Sequence, residues 1–207
     1  MARYGAEHKR ATRHRLIETA GRRFKSDGID GSGIATLVAD AGLTNGAFYG
    51  HFSSKDDLIA EVMADQLARQ AEQLEAMPAG MASMTAFIAD YLSPAHRDDV
   101  AGGCPSAALL DEVARGDRAV RSAYTTGASR LVDAVARHLG ADDTVTGAEA
   151  RSRAIGVLAL LVGALQSARA VDDPRLSDEI LTTSRTHATA IATTPRHSAS
   201  PTDQDSR

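Results

Sequence analysis

Residues 32–55, S-G-I-A-T-L-V-A-D-A-G-L-T-N-G-A-F-Y-G-H-F-S-S-K, restrict the folds open to this chain more than any other stretch. Ile34, Leu37 and Val38 fall at i, i+3 and i+4, the spacing of one buried helical face, and Ser32 stands where a helix cap belongs. Ala41-Gly42-Leu43 interrupts that segment, with Gly42 able to enter the left-handed region that a sharp turn needs. Behind Thr44, itself a capping residue, a second segment covers 45–52 with Phe48 and Phe52 at i and i+4. Two short helices joined by a glycine turn form a helix-turn-helix, whose second helix enters the major groove of DNA.

If Phe48 and Phe52 point inward, Asn45, Gly46, Ala47, Tyr49 and His51 are left on other faces. Gly46 and Ala47 are small enough to bring backbone amides close to a phosphate. Thr44, Tyr49 and His51 offer hydrogen-bond donors to phosphate oxygens, and Asn45 suits a base edge, most naturally adenine. Lys55, at the start of the following helix, reaches toward phosphate.

Charge is distributed to match. The formal net charge is −4, but residues 1–25 hold eight basic groups against Glu7 and Glu18. Residues 59–207 hold 14 basic and 20 acidic groups. A basic end on an acidic body is expected where one end meets phosphate, and it argues against a protein that coats DNA over its whole surface.

The remainder reads as helices. Hydrophobic residues make up 43% of the 207 and aromatics 4%, and no stretch sustains the period-2 alternation of strands. We read an all-α chain of about nine helices. Residues 1–7 read as irregular, a first helix runs from about 9 to 26, and long helices follow over 55–77 and 118–139. Residues 81–92 and 104–115 form shorter helices, and 94–103 reads as a polar loop. In the helix over 147–171, residues 154–165 are apolar on all faces, which implies burial on all sides and so against a second copy. A last helix covers 174–192, and the Ser-, Thr- and Pro-rich residues 194–207 read as a disordered tail. The 12-residue apolar run is too short to cross a bilayer, and the single cysteine, Cys104, fits a reducing compartment. The expectation is a cytoplasmic protein with no membrane partner.

The segment from Arg13 to Leu58 carries a long pattern: Ile17, Ala20 and Phe24, then Gly28, then A-G-L-T-N-G-A-F-Y-G-H-F-S-S-K-D-D-L. In these residues the chain resembles the tetracycline-repressor (TetR) family of one-component transcriptional regulators. Val38 stands where that family usually has Ala, and Gly33 where Ser or Thr is commoner. The resemblance implies an N-terminal helix-turn-helix domain over 1–54 and a C-terminal ligand-binding and dimerisation domain over 55–193. It implies a homodimer on a palindromic operator, paired through the helices at about 147–171 and 174–192 and released by an unknown small molecule. Carried over by position, Thr44, Asn45, Ala47, Tyr49, His51 and Lys55 are DNA contacts, with Thr36 joining from the preceding helix.

On the ligand side, Phe87, Ile88, Tyr91, Leu109, Val113 and Tyr124 are the apolar and aromatic lining candidates. Cys104 precedes Pro105 at a helix start, where amides and the dipole favour thiolate, so a thiol sensor is the alternative regulator. His96, His138, His187 and His197 are scattered, and no Gly-rich phosphate loop or metal-ligand spacing occurs. We therefore read neither an enzyme nor a cofactor-binding protein; a helical enzyme using Cys104 with a distant histidine is the alternative from another class.

Overall fold

The computed structural model describes residues 2–141 and 145–193, with side chains from Glu7 onward. The described residues form ten helices and no strand. They are α1 (Ala2–Asp27), α2 (Ile34–Asp40), α3 (Asn45–Tyr49), α4 (Lys55–Ala76) and α5 (Met81–Tyr91). After these come α6 (Pro94–Asp98), α7 (Pro105–Arg115), α8 (Arg118–Leu139), α9 (Gly147–Ala170) and α10 (Pro174–Thr193). The all-α reading holds.

Local expectations fail in four places, each for a physical reason. Residues 2–7 are helical rather than irregular: nothing before His8 breaks a helix except Gly5, and extending a docked helix adds a bond per residue without a new nucleus. Within the expected loop 94–103 lies α6, started by Pro94 at its first position and by Ser93, whose Oγ accepts from the His96 amide at 3.1 Å. Ser32 does not cap α2; its hydroxyl donates to the Gly28 carbonyl at 2.7 Å, and Gly33 takes the cap position. The third helix stops at Tyr49, because the amides of His51 and Phe52 both close on the Phe48 carbonyl in a turn. The expected tail, 194–207, lies outside the described residues.

Apolar side chains gather into two clusters. One joins Leu16, Phe24, Phe48 and Phe52 to Leu58, Val62 and Leu67 of α4, and also takes Leu109 and Val113 from α7 and Val120 from α8. The other packs Leu74, Met84 and Ile88 against Val135, Leu161 and Leu181. α4 belongs to both. It lies along α8 and comes close at Gly127, where an added Cβ would stand 2.5 Å from the Leu67 Cβ.

A carboxylate ties the turn after α1 to α7. Gly28 (φ 79°) turns the chain out of α1, and the amides after it, that of the buried Ile29 among them, point back to α7. There Glu112 Oε1 accepts from the Ile29 amide at 2.7 Å and from the Asp30 amide at 3.4 Å. Lys55 Nζ donates to the Ile29 carbonyl. Replacing Glu112 with alanine is expected to cost about 1–3 kcal/mol, because it strands these amides, and glutamine should recover much of the loss. Urea unfolding of the two variants checks this.

Residues 154–165 are not enclosed by their own chain. Val157, Leu161 and Leu165 are buried, but Ile155 is 51% exposed and Ala159 is exposed. Leu176 on α10, the neighbour of α9, is exposed as well.

Candidate DNA-binding face and ligand cavity

The short α3 is held from beneath. Phe48 is fully buried, edge-on to Tyr49 at 5.2 Å and tilted against Phe52 at 5.7 Å. Gly42, at φ 67°, makes the turn from α2. With its inner face fixed, α3 presents Asn45, Gly46 and Tyr49 outward; Ala47 is half-buried, and the Tyr49 side is 66% exposed. Thr44 occupies the cap position, yet its hydroxyl makes no capping bond and is available to a phosphate. Thr36 is exposed on α2.

His51 and Lys55 lie beyond the C-terminal end of α3, and both are half-buried. The buried His51 Nδ1 has no hydrogen-bond partner. Burial holds the His51 pKa below its ordinary value, helped by the positive charges of Lys9 and Arg13. Lys55 spends one of its three donors on Ile29 and keeps two.

The arginines of α1 divide differently from expectation. In the sequence Leu16, Ala20 and Phe24 form an apolar stripe at i, i+4 and i+8, and Arg10, Arg13 and Arg23 lie away from it, free to face solvent or DNA. Arg13 instead pairs with Glu61 at 2.9 Å and lies 4.8 Å over the Phe52 ring. Arg23 pairs with Asp27 at 2.6 Å and Asp40 at 2.7 Å. Arg10 stays exposed. Both engaged arginines serve packing of α1 on α2 and α4, which sequence spacing along one helix does not reveal.

A cavity of about 790 Å³ lies between α1, α4, α5 and the α6–α7 connection. Its walls include Arg22 and Lys25 of α1, Gln66 and Leu74 of α4, and Phe87 and Tyr91 of α5. Of the lining expected from sequence, Phe87, Tyr91 and Cys104 are there. Ile88, Leu109, Val113 and Tyr124 are not: Ile88 is core of the second cluster, and the other three pack in or against the first. Apolar stripes alone do not separate a cavity wall from a core, whereas the polar lining of Gln66, Gln70, Lys25 and His96 carried no periodic signal.

At the cavity's inner end His96 bridges two segments. Its Nδ1 lies 2.7 Å from the Tyr91 carbonyl, and its Nε2 accepts from the Cys104 amide at 3.0 Å, which fixes the neutral Nδ1–H tautomer. Burial accordingly holds the His96 pKa below the usual value. The Cys104 thiol is buried, 3.7 Å from Gln70 Oε1.

Two family models match the chain: "Bacterial regulatory proteins, tetR family" over residues 16–62, and "Tetracyclin repressor-like, C-terminal domain" over residues 80–184. The second spans about half of the 207 residues by itself. The chain belongs to the TetR family of bacterial regulators. Curated relatives match part of the chain and are HTH-type transcriptional regulators. The HTH-type transcriptional regulator AcrR of Shigella flexneri is 34% identical over 62 residues, which are 30% of this chain and 29% of AcrR. The HTH-type transcriptional regulator TtgR of Pseudomonas putida is 35% identical over 78 residues, 35% of this chain and 37% of TtgR. The chain therefore matches less than two fifths of the length of either relative. Among solved structures, E. coli NemR in its reduced form superposes with a TM-score of 0.73 at 22% identity, over 86% of this chain and 95% of that one. SCO4454, a TetR-family transcriptional regulator from Streptomyces coelicolor, superposes with a TM-score of 0.63 at 25% identity, over 86% and 94%.

As a member of the TetR family the chain carries its helix-turn-helix at the N-terminal end, within the matched residues 16–62. Among the described residues no helix is long and apolar enough to cross a membrane, and no cluster of metal-ligating side chains occurs.

Lys25 in the cavity wall gives this regulator a pH signature. The side chain is 8% exposed, and burial pushes its pKa down to about 8. Below pH 8 the ammonium is protonated folded or unfolded, and the full burial penalty applies. Between pH 8 and the unfolded lysine value of about 10.4, the unfolded chain binds more protons, so stability rises with pH. Lys25→Met removes the titrating group. Its unfolding free energy should therefore rise less than that of the parent between pH 7.5 and 10; equal rises in urea titrations would refute the assignment.

Proposed function

We propose that the protein is a homodimeric repressor that binds a palindromic operator and is released when a small molecule occupies the cavity beneath α1. The observation that carries this reading is the shared wall. Arg22 and Lys25 belong to the helix that packs the recognition unit, yet they line the cavity, so filling it must press on the element that aims α3. Effector and operator then compete through one coupling free energy.

In this reading Thr44, Tyr49, His51 and Lys55 hold phosphates, backbone amides beside Gly46 and Ala47 approach the same strand, and Asn45 with Thr36 reads bases. The exposed Ile155 and Leu176 support pairing through α9 and α10, since a two-fold axis there would cover both at once. Residues 1–54 would form the operator-binding domain and 55–193 the ligand-binding and dimerisation domain.

Gel-shift titration on the DNA upstream of the protein's own gene tests the reading. Binding should prefer a palindrome over random duplex and fall steeply with salt, because phosphate contacts release counterions. Equal affinity for random duplex would sink it. Sedimentation should give a dimer that Ile155→Glu converts to monomer.

A second reading has one supporting observation. Cys104 lines the same cavity, with the charges of Lys25 and Arg169 within reach of its sulfur. Modification of that thiol by an electrophile or oxidant would fill the cavity covalently. If Cys104→Ser leaves both operator affinity and the response to aldehydes or oxidants unchanged, this route is excluded.

A further inference from the structure

The cavity beneath α1 holds a charge that the chain does not answer. Lys25 Nζ donates to the Gly103 carbonyl at 2.7 Å, and among the described residues it has no other hydrogen bond and no carboxylate within ion-pairing distance. An ammonium carries three donors, and burying it unpaired is costly. The neighbouring groups are divided: Cys104 and Asp99 favour the ammonium, while Arg22 and Arg169 act on it repulsively. Arg169 is itself partly buried, bound only to the carbonyls of His96 and Arg97 at 2.8 and 2.9 Å, with Nη1 unpartnered.

The carboxylates of the cavity lie elsewhere. Glu18, Asp90 and Asp99 are all exposed at its rim. Asp99 is the one whose charge reaches Lys25, and its Oδ1 is occupied by the Gly102 amide at 2.8 Å. The Tyr91 hydroxyl, beside Cys104, is buried without a well-formed hydrogen bond. Burial keeps Tyr91 protonated, so it remains a donor. Toward the other end the wall turns apolar, with Leu74, Met77, Ala86 and Phe87. A volume of about 790 Å³ suits an organic molecule of ordinary metabolite or drug size.

We infer that the effector is an amphiphilic organic anion, a carboxylate whose head group pairs with Lys25 of α1 and whose apolar body lies along Leu74, Met77 and Phe87. The inference rests on the reading of this cavity as the effector site. It adds that the ligand contacts the DNA-binding unit's own first helix through charge, so that the anion satisfies Lys25 and reseats α1 in a single event. Arg22, exposed at the mouth, draws the anion in, while the acidic rim disfavours anions only at the entrance.

The experiment uses the full chain and three matched series: 4-phenylbutyrate and decanoate, their primary amides, and their amines, titrated by calorimetry and by thermal shift. The carboxylates should bind at least about tenfold more tightly than the amides, the gain expected for a charge-assisted pair. Lys25→Met should bring carboxylate and amide within about twofold of each other, and Cys104→Ser should leave the preference intact. Equal binding of acid and amide by the parent protein, a preference for the amines, or no binding by either carboxylate overturns the inference without recourse to any variant. Loss of the preference in Cys104→Ser alone also overturns it and moves the site to the thiol. Operator release is scored separately by gel shift. Carboxylate binding that leaves the operator bound supports the anion site and defeats the effector reading; release by amide or amine alone does the reverse.

Discussion

Phe48→Ala abolishes operator binding and costs the fold about 3–5 kcal/mol, the range for truncating a fully buried phenylalanine. The ring is inaccessible to solvent and touches Phe52 and Tyr49 within one turn. The helix it anchors has five residues, far too few to persist alone. This ring and its neighbours hold α3 from beneath, so the surface that α3 presents is expected to dissolve before the rest of the chain does. Urea unfolding and gel shift report the two losses together. Tyr49→Ala is the control, since its side chain is mostly exposed. It should keep stability within about 1 kcal/mol while weakening DNA binding. A Phe48→Ala protein that still binds operator with parental affinity would show that α3 is not the recognition element.

Gly127→Leu has a comparable effect from the opposite cause. In α8 this position faces α4 with no room for a side chain: an added Cβ would meet Leu67 Cβ at 2.5 Å and Cδ1 at 2.7 Å. The first of these atoms is attached directly to the backbone, so relief requires moving a helix rather than turning a rotamer. Overpacking of this kind costs about 3 kcal/mol or more, well above the roughly 1 kcal/mol that losing a helical glycine returns. The expected result is a lowered Tm and a protein that unfolds at markedly lower urea. Gly127→Ala should fall between the two. A Gly127→Leu variant as stable as the parent would mean that α4 and α8 slide freely past one another.

The recognition unit was the most legible part of the chain because its signals are local. The limits of α2, the turn at Gly42 and the inward Phe48 and Phe52 all follow from spacing within a dozen residues. The cavity was less legible, because its wall is assembled from α1, α4, α5 and the segment before α7. Lys25 illustrates the difficulty: in sequence it is one basic residue among eight at the N-terminal end, and only tertiary packing buries it. Leu109 and Val113 illustrate the converse. Their helical spacing suits a pocket wall and a core equally, and packing made them core under the recognition unit. Arg13 and Arg23 looked like free cations for the same reason, their partners Glu61 and Asp40 being supplied by other helices.

The double membership of α4 bears on how such regulators can be recombined. Exchanging residues 1–54 for those of a relative would transplant the reading head but only part of its support. Leu58, Ile59, Val62, Met63 and Leu67 would stay behind with the host, as would Leu109, Val113 and Val120. A graft of that kind sets foreign side chains against a surface shaped for others, and interiors tolerate such mismatches poorly. A working chimera has to carry the inner face of α4 and its α7 and α8 partners along with the head. In this chain the seam between the helix-turn-helix and the helical body runs along the surface of α4, and no single peptide bond marks it.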